Sequence, residues 1–446
     1  MSLTSPFTFT ARKIKNIIKT LTPSKEKFHS LDGEDCFNPK RVCKIPYGLK
    51  STYQSALCGT AFDYLARFYI ARIVDYNRDV ALNHLVAERL ISSSNLYTIG
   101  VDEKSKKKLE KMKTQVTLPE EILCGNVHSY SHLSNLLNLS KEEVRKILDR
   151  GLIQISRVFD RGELSERLKL EYNKLLEPIK AYIYGDSVED NILIEISVVL
   201  AKMEHMKRSG IGAVPVSKLF QYDADNLEVK RELEILITNF KKIFLPLVRR
   251  DSVVVYNPHF GIGSRIMGGA DADIYIDGVL YDFKTTIKNG YRIAETTQLV
   301  GYYILDAVSK TCEDERNDLA KYPIERIALY KVRFDEIAYF DVESFGKYIV
   351  EDTVKEILKI FLMNNTHCLI PYGKTDEYIE KNNFPITRRE LYDYCSDSGA
   401  DWLEWYLSKK DALDENDKER MQEIIEVRKK FKEYLDNIDV LRLFKI

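Results

Sequence analysis

The chain has 446 residues, 44% of them hydrophobic. That is enough to bury a large core, and long enough for two or three units sharing one globule. With 67 basic and 68 acidic residues the net charge is -1, so there is no globally basic surface for nucleic acid, and any such surface must be local. No run approaches the roughly 18 apolar residues of a membrane span.

Seven scattered cysteines without a C-x-x-C pair argue against a zinc knuckle or a disulfide framework and favour a cytoplasmic setting. Residues 1–28 lack the apolar core of a secretory signal. Residues 1–50 read as an irregular N-terminal arm with a basic amphipathic segment at 11–20, laid over the domain or touching a substrate. A helix is expected over 55–74, with Leu57, Ala61, Phe68 and Ala71 forming a buried stripe. On it, Asp63 and Arg67 stand four residues apart, as an ordinary helix ion pair would.

A mostly helical insertion is expected over about 76–189. The lysine-dense segment 104–113 reads as a solvated face rather than a phosphate contact. His128 and His132 have no acid or cysteine beside them and read as non-ligands. Ser140 to Glu143 has the form of a capping box, and 138–153 only superficially suggests a helix-turn-helix. A largely apolar helix follows over 190–209, in which Glu195, flanked by Ile194 and Ile196, needs a partner if buried. Another helix is expected over 226–245, then a strand over 251–256.

Residues 268–286 then read as a tight hairpin with Asp277-Gly278 at its turn. The register pairs Ile276 with Val279, Tyr275 with Leu280, Ile274 with Tyr281 and Asp273 with Asp282. One face carries Ala272, Ile274, Ile276, Val279, Tyr281 and Phe283. The other carries Asp271, Asp273, Tyr275, Leu280, Asp282 and Lys284. Opposed acids repel unless a cation lies between them. A hard divalent ion suits such a pair, with the Lys284 ammonium beside it. Asp271 would oppose Lys284 and pair with it. A solvated surface hairpin is the alternative, and the apolar neighbours of the opposed acids disfavour it.

A helix over 294–308 places Gln298 and Tyr302 on one face, where they can bond a phosphate or brace a site. Two strands are expected within 325–343, completing the arithmetic of an α/β core. Beyond 346 the chain turns helical, with a capping box at Thr387 to Glu390, aromatics packed at helical spacing over 401–407, and a final amphipathic helix lying as a lid on the core.

These residues resemble the PD-(D/E)XK nuclease superfamily, closest in motif style to its RecB-like branch. Asp273 precedes a hairpin whose second strand carries Asp282-Phe283-Lys284, with the acids nine positions apart. Gln298-Leu-Val-Gly-Tyr302 matches the branch's Q-x-x-x-Y, and Gly59-Thr60-Ala61-Phe62-Asp63 resembles its G-T-x-x-H with Asp63 in place of histidine.

The resemblance implies a restriction-endonuclease-like α/β fold: a central mixed β-sheet flanked by helices over 51–345, with the helical insertion and a helical C-terminal region over 346–446. It implies a Mg²⁺-dependent nuclease, with Mn²⁺ as the alternative ion, acting on DNA with RNA left open, by endo- or exonucleolytic cleavage. Asp273, Asp282 and the Phe283 carbonyl would hold metal, with Asp63 or Glu195 completing the acid cluster. Lys284, Gln298 and Tyr302 would serve the reaction. Cys312, Cys368 and Cys395 are not clustered, so no iron–sulfur cluster is expected. Without a phosphate-binding motor loop, any helicase would be a separate partner. A non-catalytic scaffold of the same fold, binding nucleic acid or a protein, is the other reading.

Overall fold

The computed structural model describes residues 8–45, 48–76, 78–83, 85–91, 98–101, 155–158, 163–209 and 224–444. The lysine-dense segment, His128, His132, the Ser140 capping box and the helix pair at 138–153 lie outside the described residues. The strands are β1 His29–Ser30, β2 Thr98–Val101, β3 Ile155–Val158, β4 Val254–Tyr256, β5 Ile274–Ile276, β6 Val279–Lys284, β7 Arg326–Lys331 and β8 Glu336–Asp341. The first helices are α1 Phe9–Leu21, α2 Thr52–Ile73, α3 Glu88–Ile91, α4 Glu163–Ile183, α5 Asp190–Ser209 and α6 Ala224–Ile243. They are followed by α7 Gly261–Ile266, α8 Ile293–Thr311, α9 Lys347–Asn365, α10 Thr375–Asn382, α11 Arg388–Asp393, α12 Asp397–Ser408 and α13 Glu415–Asp436.

The centre is a mixed, open six-stranded sheet in the order β1-β8-β7-β6-β5-β4. Only β6 and β7 run parallel; α8 makes the crossover between them. Residues alternate between two cores. Ile274, Ile276, Tyr281 and Phe283 face α2, α4, α5 and α6. Tyr275, Leu280, Ile327 and Leu329 face α1, α8 and the C-terminal helices. This alternation places each β6 side chain on a known side, with Asp282 and Lys284 towards α8.

The expected arm is packed into the second core through Ala11, Ile14 and Ile18 of α1, and β1 extends the sheet at β8. Thr10 donates from its backbone N–H to Asp397 at 2.8 Å, and Arg12 pairs with Asp401 at 2.7 Å, tying this segment to α12. The described part of the expected helical insertion is mostly helix, in α3 and α4. It also includes the antiparallel pair β2–β3, where Thr98, Ile99 and Val101 meet Val158, Arg157 and Ile155. Branched residues suit such a ladder.

α13 buries Met421, Ile424, Val427, Phe431 and Leu435, as a lid would. The aromatics of α12 pack only in part: Tyr406 is buried, whereas Trp402 and Trp405 are exposed. Arg420 covers the Trp402 ring at 5.2 Å. Among the described residues no helix is long and apolar enough to cross a membrane. The six described cysteines are free thiols.

One close approach fixes the helix that carries Gln298 and Tyr302. Gly263 of α7 lies against the α8 backbone, where an added Cβ would come within 2.2 Å of the Leu305 carbonyl oxygen. Backbone cannot yield as a side-chain tip can. Gly263→Ala is therefore expected to destabilise the fold by about 1–3 kcal/mol, read as a lowered midpoint in urea with an unchanged slope.

Candidate active site

The hairpin turn forms as its sequence requires. Asp277 and Gly278 have φ of 46° and 89°, the left-handed pair of a type I′ turn. Ser252 Oγ donates to Asp277 Oδ2 at 2.7 Å and the Val253 N–H to Oδ1 at 2.8 Å, locking β4 to the turn. The ladder pairs Ile276 with Val279, Tyr275 with Leu280 and Ile274 with Tyr281.

There it stops. Asp273 does not pair with Asp282 through the backbone. Its carboxylate reaches across and accepts the Phe283 N–H at 2.5 Å, while its carbonyl accepts the Asn257 N–H at 3.0 Å. Ala272 accordingly joins the second core rather than the first. The break opens the strand ends into a cleft of about 320 Å³.

Asp63, Asp273, Asp282, Phe283, Lys284, Gln298 and Tyr302 all line that cleft. The Phe283 ring points away, packed at 5.1 to 6.0 Å centroid distance against Phe62, Phe240, Phe244 and Tyr330. Only its backbone is left to face the cleft. Asp282 is 2% exposed, and its Oδ2 pairs with Lys284 Nζ at 2.5 Å. Lys284 Nζ donates to Gln298 Oε1 at 3.2 Å, and Gln298 Nε2 donates to the Tyr302 hydroxyl oxygen at 2.7 Å. That chain fixes the amide orientation and leaves the Tyr302 proton free to donate.

Glu195 lies elsewhere. It is partly exposed and pairs with Lys230 of α6 at 2.8 Å, and it does not line the cleft. The acid that α5 brings is Glu204, which accepts from the Tyr64 hydroxyl at 2.7 Å and pairs with Arg208 at 2.8 Å. The two glutamates are nine residues apart, two and a half helical turns, so they face opposite sides.

Asp271 pairs with Arg208 at 3.4 Å and accepts from Asn257 Nδ2 at 3.4 Å, not with Lys284 as the extended register implied. Asp63 and Arg67 form no ion pair; Arg67 lies over the Tyr256 ring at 5.7 Å. His205 meets Thr60 Oγ1 at 3.2 Å, and burial, then Arg208, lower its pKa and favour the neutral imidazole.

The electrostatics follow from crowding acids out of water. Burial, then repulsion from Asp282, pushes Asp273 up to about 7. Burial, then Asp273 and Glu204, raises Asp63 well above the carboxylate range. Asp282 is raised by burial despite Lys284. Burial pulls the Lys284 pKa down, but Asp282 and Asp273 outweigh it and the net shift is upward, so the ammonium keeps its charge.

Hard oxygen donors that resist ionisation together fit a divalent cation. Among the described residues no group of three His, Cys, Asp or Glu side chains is arranged to hold a metal by itself. A cation here would depend on one or two carboxylates with water and substrate, the usual manner of magnesium. Set against protein-family models, curated proteins and solved structures, the chain matches none, so the reading of this cleft rests on its own residues.

Proposed function

We propose that the chain is a divalent-metal-dependent nuclease that hydrolyses phosphodiester bonds in DNA, built on a restriction-endonuclease-like version of its open mixed sheet. The observation that carries this reading is the meeting of Asp63, Asp273 and Asp282 in one cleft with a charged Lys284 paired to Asp282. Asp273 and Asp282, with the Phe283 carbonyl, are the residues that would hold Mg²⁺ or Mn²⁺. Such an ion supplies Lewis acidity, acidifying a water and offsetting charge on the phosphate. Lys284 keeps a full positive charge in a low-dielectric cleft, where it orients the attacking water or stabilises the pentavalent phosphorus. Gln298 and Tyr302 brace Lys284 and offer a phenol proton to a phosphate oxygen.

The other reading, a non-catalytic scaffold binding nucleic acid or a protein, draws on one observation: no three-ligand set is preformed among the described residues. The two readings separate when linear, circular, single-stranded and double-stranded DNA are incubated with the protein in Mg²⁺, in Mn²⁺ and in EDTA. Cleavage that requires the metal is the expected result. Intact substrates under all metal conditions would leave the scaffold.

A further inference from the structure

Arg67 stands between two cavities. One is the acidic cleft. The other is an adjoining groove of about 700 Å³ that Arg89 and Lys207 also line. The Arg67 side chain is buried, with 6% of its surface exposed. Its described contact is the face of Tyr256, and among the described residues it makes no hydrogen bond or ion pair.

Its neighbours differ. Arg208 is held by Glu204 and Asp271, and Lys284 by Asp282. A guanidinium carries five donors and does not lose its charge, so leaving it buried without an acceptor is costly. Arg67 lines both cavities, and Glu204 and Asp271 are the acids that act on its charge from nearby.

We propose that Arg67 anchors a phosphate of a single DNA strand that passes from the adjoining groove into the acidic cleft. The identity of the polymer rests on the nuclease reading. Guanidinium matches phosphate in a two-bond fork, and the Tyr256 ring face, 5.7 Å from the Arg67 Cζ, attracts the cation. A group recessed this far meets a backbone that can bend into a cleft, as a single strand or frayed end can. The phosphates of an intact duplex stay on its convex outside. Placing one phosphate at Arg67 would lay the neighbouring linkage towards Asp273, Asp282 and Lys284, which line the same cleft.

The test is fluorescence anisotropy with a dye-labelled single strand of about 12 nucleotides and a hairpin-capped duplex, in Ca²⁺, as a function of salt. The parent protein should bind the single strand more tightly than the capped duplex. Arg67→Gln should weaken single-strand binding about tenfold and reduce the salt slope by about 0.7, the share of one phosphate contact. Arg67→Lys should restore the slope and part of the affinity, and Arg316→Gln, on the exposed surface, should change neither.

Unchanged affinity and slope in Arg67→Gln would overturn the anchor. So would equal losses in the Gln and Lys variants without a change of slope, which marks a structural role. Arg67-dependent binding by a protein that never cleaves would overturn the nuclease reading alone. Metal-dependent cleavage with binding indifferent to Arg67 would overturn the anchor alone.

Discussion

Lys284→Ala and Asp282→Asn should each abolish metal-dependent cleavage of DNA while the chain stays folded. The expected loss is at least about 10²–10³-fold for the lysine, the range for removing one preorganised charge-stabilising group. The aspartate should cost more, because it is both a candidate ligand and the partner that orients Lys284. Breaking a buried ion pair commonly destabilises a protein by about 3–5 kcal/mol. Here the cost should be smaller. Without Lys284, Asp282 faces Asp273 and Asp63, whose pKa values are already raised, and the acids can take up protons instead of staying charged. Without the Asp282 charge, Lys284 still has Asp273 near it and the Gln298 carbonyl oxygen to accept its hydrogen bond. Initial cleavage rates with far-ultraviolet circular dichroism on the same samples check both halves. Parent-level cleavage by both purified variants would remove the assignment of these residues.

Much of this site was legible because local rules coincide with the tertiary answer at the hairpin. Asp277-Gly278 supplies the two left-handed residues, and the alternation from Ile274 to Lys284 assigns the faces. Gln298 and Tyr302 were legible for a similar reason, since helical spacing alone puts them together. The misread parts depend on where elements sit relative to one another. Glu195 drew notice from its apolar neighbours, yet it faces outward. Glu204 continues the stripe of Ser197, Leu200 and Ala201, all fully buried, and that stripe was the available signal. Asp271 goes to Arg208 because the ladder ends before it, which a period of two cannot foresee. The strands β2 and β3 are short and distant in sequence, so neither has a local turn to announce it. Arg67 looked like half of a helix ion pair, and only the packing of Tyr256 and the cleft shows otherwise.

Asp273→Asn should raise the thermal midpoint of the metal-free protein at pH 8 by about 2–5 °C and remove much of the further rise produced by Mg²⁺. The sign follows from proton linkage. Asp273 has a native pKa of about 7 against 3.8 for an unperturbed carboxyl, raised by burial and then by Asp282. Below about pH 4 the group is protonated in both native and unfolded chains and contributes no difference. Between about 4 and 7 the unfolded chain releases its proton while the native one retains it, so stability falls as pH rises. Above 7 the ionised carboxylate is buried beside Asp282 and the loss is complete. Asparagine keeps an oxygen to accept the Phe283 N–H, which Asp273 accepts at 2.5 Å, and removes the charge. The advantage of the variant over the parent should therefore be largest at pH 8 and vanish near pH 4. Asp63 and Asp282 are raised as well, so the parent alone reports their sum, and the difference between parent and variant isolates Asp273. A divalent cation binds the ionised form, so Mg²⁺ should stabilise the parent more at pH 8 than at pH 5.5, and this pH dependence should flatten in the variant. Thermal scans in EDTA and in Mg²⁺ across that range measure both effects without any turnover. A parent that gains stability on the variant as pH rises would contradict the raised pKa, and an equal Mg²⁺ shift in both proteins would remove Asp273 from the metal site.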